Sequence, residues 1–241
     1  REIMITVLLK LLLAHFLGDF VFQPYKWVES KERIGAKSKY FWFHIGIHFL
    51  LLFLVISFKV SLIPVVLSIG ISHLIIDLLK IKLKNRFSKI HLFFVDQALH
   101  LLVILTAIGI YFNIDWTNLL QIQDKWLIII LAFVLLTYVS GVIMKVVLSK
   151  WDLNHFEGEA LDKAGWYIGV IERLFIFGFV FLNYWAGIGF LIAAKSIFRF
   201  SDLSKSKDRK LTEYILIGTL LSYGLAILIA FFSLQLWLYF Q

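Results

Sequence analysis

Long apolar stretches recur along this chain, and they constrain its fold more than any other feature of the sequence. A helix needs about 20 consecutive, mostly apolar residues to cross a bilayer, and the chain supplies such stretches repeatedly between short basic segments. Apolar residues make up 61% of the 241 positions and charged residues only 17%, whereas soluble domains have about 45–50% and about 25%. The sequence therefore predicts an all-α, polytopic helical membrane protein.

Eight stretches are predicted to span the membrane. The first is expected to be a retained helix, because it is too long for a signal peptide and carries His15 and Asp19. The region from Gly165 to Phe200 is too long for one helix, so a turn is placed at Asn183-Tyr184. The predicted spans are 3–22, 41–58, 61–80, 92–112, 126–148, 166–182, 185–200 and 213–238.

The distribution of basic residues gives these spans an orientation, since cytoplasmic loops are enriched in lysine and arginine. With both termini outside, one side of the membrane keeps only Arg1, Lys59 and Lys125. The net charge of +8 is assigned to the cytoplasmic surface, and no nucleic-acid partner is expected. Most of the 24 basic residues fall on the cytoplasmic side, in or beside the loops 23–40, 81–91, 149–165 and 201–212.

Each of the first four predicted spans carries two His or Asp residues four positions apart. Residues at i and i+4 share one helix face, with Cβ atoms about 5–6 Å apart, so both can face one ion. In the orientation above, all four pairs fall in the cytoplasmic third of the membrane. We therefore predict an N-terminal four-helix bundle with a metal site. Its candidate ligands are His15, Asp19, His44, His48, His73, Asp77, Asp96 and His100.

The ligand types narrow the choice of metal. Imidazole and carboxylate suit zinc, iron, manganese or nickel, and the chain has no cysteine for a thiolate site. We expect one or two divalent ions, zinc first, with manganese or iron as alternatives. Eight candidates exceed the need of one tetrahedral ion, so some would instead orient ligands from outside, with Gln23 and Gln97. A proton relay or a purely structural polar network is the other interpretation of the pairs.

The second half of the chain carries its own charges within predicted spans. Lys195 and Arg199 share one helix face, and such a pair beside a metal site would bind a phosphate or carboxylate head group. In the alternative interpretation, Glu172 pairs with Lys195 and Arg199 extends to the interface. We predict a metal-site region, 1–112, and a second membrane half, 113–241. The predicted substrate-binding residues are Glu172, Arg173, Lys195 and Arg199.

Several segments carry a family resemblance. They are the run 15–23, His44 and the segments 73–80, 96–100, 169–173, 194–200 and 213–222. Together they resemble a bacterial integral-membrane family, domain of unknown function 3307, over nearly the whole chain. The resemblance implies a multi-pass protein of the bacterial cytoplasmic membrane and supports the choice of site residues, but it implies no activity. By analogy alone, the His/Asp-bearing helices are also similar to bacterial membrane-bound metal-dependent hydrolases.

The leading hypothesis is a metal-dependent hydrolase that acts on a membrane-associated substrate, such as a lipid phosphoester, at the cytoplasmic face. Metal would activate water and polarise the ester oxygen, with Asp19 and Asp96 as the candidate catalytic residues. A divalent-metal transporter is one alternative, and a non-enzymatic metal-stabilised scaffold or sensor is another. Transport needs polar residues that continue across the membrane, whereas the outer halves of spans one to four are almost wholly apolar. The expected partners are divalent metal, membrane lipid and an anionic lipid or phosphate head group.

Overall fold

The computed structural model describes residues 2–111, 113, 122–151, 164–200 and 209–241, excepting the side chains of 198–200, 209 and 210. In this part of the chain the regular structure is helical and contains no strand, which confirms the prediction of an all-α fold. The α-helices are α1 (Glu2–Phe16), α2 (Tyr25–Ile34), α3 (Lys39–Val55), α4 (Ile63–Leu83), α5 (Lys89–Ile110), α6 (Asp124–Val134), α7 (Ser140–Leu148), α8 (Ala164–Phe181), α9 (Trp185–Phe200) and α10 (Arg209–Tyr239).

Six helical segments of the described chain are long and apolar enough to cross a membrane, and α2 with α3 adds a seventh if that bent pair counts as one span. The predicted seventh span, 185–200, coincides with a shorter apolar helix, Trp185–Ile197. The count of eight spans is therefore not confirmed. The six segments are Glu2–Val21, Val60–Leu83, Lys89–Ile110, Asp124–Leu148, Ala164–Phe181 and Leu211–Tyr239.

The basic segment 23–40, expected to be a loop, is largely the helix α2, which bends by 104° from α3. Gly35 ends α2 with a φ of +62°, a backbone conformation that glycine adopts at no steric cost. Trp27 of α2 stacks on Tyr40 of α3, with ring centroids 5.4 Å apart. The bend and this contact place α2 across the start of α3, near the polar side chains of α3.

Two compact units divide the chain, Arg1–Val134 and Leu135–Gln241. The first contains α1 to α6, and the second contains α7 to α10. The predicted division of the chain after residue 112 stays a prediction.

In the first unit, α1 packs against α3, α5 and α6, while α4 packs against α3 and α5. One cluster of buried side chains in this unit is wholly aliphatic. Burial of these side chains holds the helices in fixed register, which positions the polar residues at the neighbouring turns of each helix. The buried aliphatic core consists of Val7, Leu11, Ala14, Leu52, Val55, Ile56, Leu62, Val65, Val66, Ile69, Ile104 and Ala107.

In the second unit, α10 packs along α8. Ala226 and Ala230 are fully buried on α10, and small residues at such positions allow two membrane helices to approach closely. Ile176 and Val180 of α8 lie in the same buried cluster.

Candidate metal centre

The eight predicted ligands form one buried cluster in the first unit. They come from four helical segments: the end of the α1 span, the start of α3, the end of α4 and the start of α5. None of the eight side chains is more than 10% exposed. Because neighbouring helices run in opposite directions, residues at the end of one helix meet residues at the start of the next.

Five imidazoles lie in mutual contact, with His73 at their centre. Its ring centroid lies 3.8 Å from that of His48 and 4.1 Å from that of His100. Its Nε2 lies 3.2 Å from Nε2 of His44, and its Nδ1 lies 3.1 Å from Nδ1 of His100. A neutral imidazole has one N–H and one lone pair. Each close nitrogen pair is therefore either an N–H···N hydrogen bond or two lone pairs that face a common cation.

The carboxylates surround these rings at matching distances. Asp19 Oδ1 lies 2.9 Å from His48 Nε2 and 3.4 Å from His44 Nε2. Asp77 Oδ2 lies 3.5 Å from His44 Nε2. Two donor atoms that each bind a tetrahedral zinc at 2.0–2.1 Å are separated by about 3.3 Å. The distances between these donor atoms are therefore close to the distance between two ligand atoms of one zinc ion.

Three buried polar atoms in the cluster have no hydrogen-bond partner among the described residues: His44 Nδ1, Asp96 Oδ1 and His100 Nε2. Most buried polar groups in proteins are hydrogen-bonded, because an unpaired one costs free energy. Asp96 Oδ1 and His100 Nε2 face each other at 3.5 Å without a hydrogen bond. A cation bound by both atoms would satisfy them together.

The donor atoms fall into three overlapping groups, and the atoms of each lie within 4.8 Å of one another. A carboxylate can bridge two ions through its two oxygens, whereas a neutral imidazole offers a single lone pair. The first two groups, which share His73, therefore compete, whereas the third is compatible with either. The cluster has donors for two ions. The groups are His15 with Asp19, His48 and His73; His44 with His73 and Asp77; and Asp19 with Asp96 and His100.

Gln97 connects the acidic residues of two helices. Its Nε2 donates to Asp19 Oδ2 at 2.8 Å and to Asp96 Oδ2 at 3.2 Å. Its Oε1 lies 3.3 Å from His15 Nε2 and accepts a hydrogen bond when that nitrogen carries the proton. Gln97 thus hydrogen-bonds to candidate ligands without belonging to a donor group, which is the position that the sequence predicts for it. The amide nitrogen of Gln23 is buried and has no hydrogen-bond partner among the described residues.

Two lysines contact the cluster, although neither was singled out as a site residue from the sequence. Lys31 Nζ lies 3.3 Å from Asp77 Oδ2, and Lys80 Nζ lies 2.6 Å from Asp96 Oδ2. The sequence spacing could have predicted the contact of Lys80, because Lys80 follows Asp77 by three residues and so lies on the same face of α4. No spacing in the sequence predicts the contact of Lys31 with Asp77, because that contact depends on the bend between α2 and α3.

An aliphatic layer closes one side of the imidazole cluster around a small cavity. Each of the four helices contributes a residue to this layer. That residue lies one turn from a site histidine, on the side of the aliphatic core. No polar side chain other than the histidines lines the cavity in the described structure. Its lining residues are Leu11, His15, His48, Leu52, Ile69, His73, His100, Val103 and Ile104.

Residues 7–129 match the sequence profile of a family described as protein of unknown function, DUF3307. The match covers more than half of the chain. The chain belongs to the DUF3307 family. All eight candidate ligands, with Lys31, Lys80 and Gln97, lie within the DUF3307 region (residues 7–129). No curated protein and no solved structure matches the chain.

A π-helical turn, Leu17–Val21, carries Asp19 in the DUF3307 region. Such turns widen the helix locally and are frequent at functional sites. Gly18 lies in the same turn against the ring of His48: a Cβ on Gly18 would lie 2.5 Å from His48 Cε1 and Nε2. The missing side chain therefore lets the His48 ring reach Asp19.

We expect Gly18→Ala to displace His48 and break its contact with Asp19. The added methyl group overpacks a closely fitted position, which typically costs about 1–3 kcal/mol of unfolding free energy. The measurement is thermal unfolding of the purified protein together with its metal content. Gly46→Ala is the matched control, because a Cβ on Gly46 meets nothing within 4 Å. Equal thermal stability and metal content in the two variants would contradict the expected close fit at Gly18.

The predicted substrate-binding residues lie in the second unit, outside the DUF3307 region. Lys195 Nζ donates to Glu172 Oε2 at 2.7 Å, the contact expected by the alternative interpretation. Arg173 is buried and donates to the backbone carbonyl of Leu136 and to Ser222 Oγ. The side chain of Arg199 lies outside the described residues. Anion binding by this set stays a prediction.

Proposed function

We propose that the first unit holds a divalent-metal centre and that the protein is a metal-dependent hydrolase of a membrane-associated phosphoester. The observation that carries the proposal is the pair formed by Asp96 Oδ1 and His100 Nε2. Both atoms are buried, face each other at 3.5 Å and have no hydrogen-bond partner among the described residues. Two more donor groups of the same chemical type adjoin this pair.

A divalent ion at this position would polarise an ester oxygen and activate a bound water. We expect one or two ions, zinc first, since imidazole and carboxylate are its ligands in open catalytic sites. Asp19 belongs to two donor groups, and its Oδ1 contacts His48 and His44. Asp19 and Asp96 are proposed to hold the metal and to accept a proton from the attacking water.

The apolar layer favours hydrolysis over transport. A transported ion needs polar groups that continue to the opposite face of the membrane. Beyond the imidazoles, the cluster of buried side chains that runs from Leu11 and Leu52 to Val7 and Leu62 is aliphatic. Lys10 is also buried on α1, but a single lysine is not a series of polar groups across the membrane. The cluster is thus closed on one side, as suits a site where substrate and product use the same entrance. We place that entrance at the cytoplasmic face, on the basis of the basic loops.

The test is metal analysis of the purified full chain, combined with turnover on a panel of lipid phosphoesters. We expect stoichiometric zinc, or manganese or iron, and metal-dependent release of phosphate or of a headgroup. His91→Ala is the control, because His91 is exposed and belongs to none of the donor groups. Protein without bound metal would overturn the metal centre. Uptake of metal into proteoliposomes would favour transport, and metal-dependent folding without turnover would favour a scaffold or sensor.

A further inference from the structure

The carboxylates of the candidate metal centre outnumber the ammonium groups that pair with them. Three carboxylates meet only two ammonium groups: Lys31 pairs with Asp77, and Lys80 pairs with Asp96. Asp19 contacts imidazoles and the Gln97 amide, but no lysine or arginine within 4.0 Å in the described structure. With neutral imidazoles, the metal-free cluster carries one net negative charge.

A bound divalent ion reverses that sign. One ion leaves the cluster with one net positive charge, and two ions leave it with three. A buried, uncompensated charge costs several kcal/mol even after relaxation. The loaded cluster therefore needs an anion. One ion is balanced by a hydroxide or a phosphodiester monoanion, and two ions are balanced by a hydroxide with a phosphomonoester dianion.

The two lysines lie on the side of the cluster that the aliphatic layer leaves open. Along α4, Ile69 of that layer precedes His73 by one turn, whereas Lys80 follows Asp77 by about one turn. Lys31 approaches from α2, which bends across this end of the unit. Its side chain is 12% exposed, and that of Lys80 is 38% exposed. Both ammonium groups therefore lie on the more exposed side of the cluster, where a substrate would enter.

Metal binding would reduce the negative charge that Asp77 and Asp96 present to these lysines. Asp77 and Asp96 each belong to a donor group, so a cation would share their negative charge. Lys31 and Lys80 would then be less neutralised by their present partners. Ammonium groups bind phosphate oxygens well as point charges, and a phosphate offers enough oxygens to meet two lysines and a metal at once.

We propose that the loaded cluster binds an anionic phosphate group between the metal and the ammonium groups of Lys31 and Lys80. This inference rests on the proposed function and names the residues that would bind the phosphate group of its substrate. It gives the anion-binding role to two lysines of the first unit, independently of the basic residues in the second.

The experiment is calorimetric titration of inorganic phosphate into the metal-loaded full chain in phosphatidylcholine nanodiscs. A hydrogen bond to a charged group contributes about 1.5–3 kcal/mol, so Lys31→Met and Lys80→Met should each weaken phosphate binding about 10- to 100-fold. The titrations are run at saturating metal, and metal analysis checks that each variant carries as much bound metal as the unaltered protein. Lys26→Met and Lys82→Met are matched controls, because each replaces an exposed lysine on the same helix. Lys31→Arg, which retains the charge, should keep most of the affinity.

Each outcome separates the two proposals. Wild-type protein without metal overturns the proposed function. Metal-loaded protein that binds no phosphate, or binds it equally well in both methionine variants, overturns the phosphate site and leaves the metal centre standing. Nanodiscs that contain phosphatidic acid identify the source of the anion. A weaker apparent phosphate affinity there supports a lipid head group, and an unchanged affinity supports a soluble phosphate compound at the same site.

Discussion

Replacing Asp19 with asparagine is expected to remove most of the bound metal while leaving the protein folded. Asp19 belongs to two of the three donor groups, so only His44, His73 and Asp77 remain as a complete group. The amide keeps the shape of the carboxylate and can still hydrogen-bond, but it brings no charge. We expect at most one bound ion, with affinity reduced by more than the roughly 10–100-fold that loss of an outer partner costs.

The same substitution should have a smaller effect in the metal-free protein. Asp19 has no ammonium partner in the described structure, so the substitution breaks no ion pair with a lysine or arginine, and asparagine can still hydrogen-bond with Gln97 and His48. Asp19→Asn should therefore unfold close to the temperature of the unaltered protein when metal is absent. Metal at 100 times its dissociation constant stabilises a protein by about 2.7 kcal/mol, and much of that gain should be lost.

The measurement is thermal unfolding with and without zinc, alongside metal analysis. Asp124→Asn is the matched control, because Asp124 is an aspartate of the same unit that accepts a hydrogen bond from Thr6 and belongs to none of the donor groups. If Asp19→Asn binds as much metal as Asp124→Asn, with the same affinity, the two donor groups that contain Asp19 hold no ion.

His73→Ala is expected to have the second largest effect on metal binding. His73 is the histidine that belongs to two donor groups, and its ring stacks against those of His48 and His100. Its loss leaves only Asp19, Asp96 and His100 as a complete group. His15→Ala removes one group, so it should lower metal content less than His73→Ala does.

Metal analysis of the variants gives the test, with His91→Ala as the control. Because an alanine at a buried position also leaves a cavity, His73→Gln is measured beside it. Glutamine keeps a polar side chain of similar length and should lose metal as well. Metal content in His73→Gln as high as in His91→Ala, or equal losses in His73→Ala and His15→Ala, would contradict the shared role of His73.

The sequence predicted the part of the site that depends on each helix by itself. An i, i+4 spacing such as that of His73 and Asp77 places two side chains on one helix face, whatever the helix packs against. The basic loops then favoured a common depth for the four pairs, and the structure brings them into one cluster. The helical class followed from the length of the apolar stretches, because about 20 apolar residues suit a membrane-spanning helix, which satisfies its backbone polar groups internally.

The sequence did not predict the contacts between helices, because these contacts depend on the directions in which the helices run. The segment 23–40 reads as a basic loop, yet the helix α2 within it turns at Gly35 and brings Lys31 to Asp77. The close approach of Gly18 to His48 also depends on two helices, so neither residue indicates it alone. The pairing of Lys195 with Glu172 was one of two alternatives, and the structure shows that contact.

The sequence by itself therefore determined an all-helical chain with four polar pairs on apolar helices. Those properties follow from hydrophobicity and from helix periodicity, which act within about one turn of each residue. The tertiary structure alone decided which donor atoms lie close together, that Asp19 and His73 each belong to two groups, and that Lys31 and Lys80 contact Asp77 and Asp96. These relations are distances between side chains on different helices, and packing of the aliphatic core sets them.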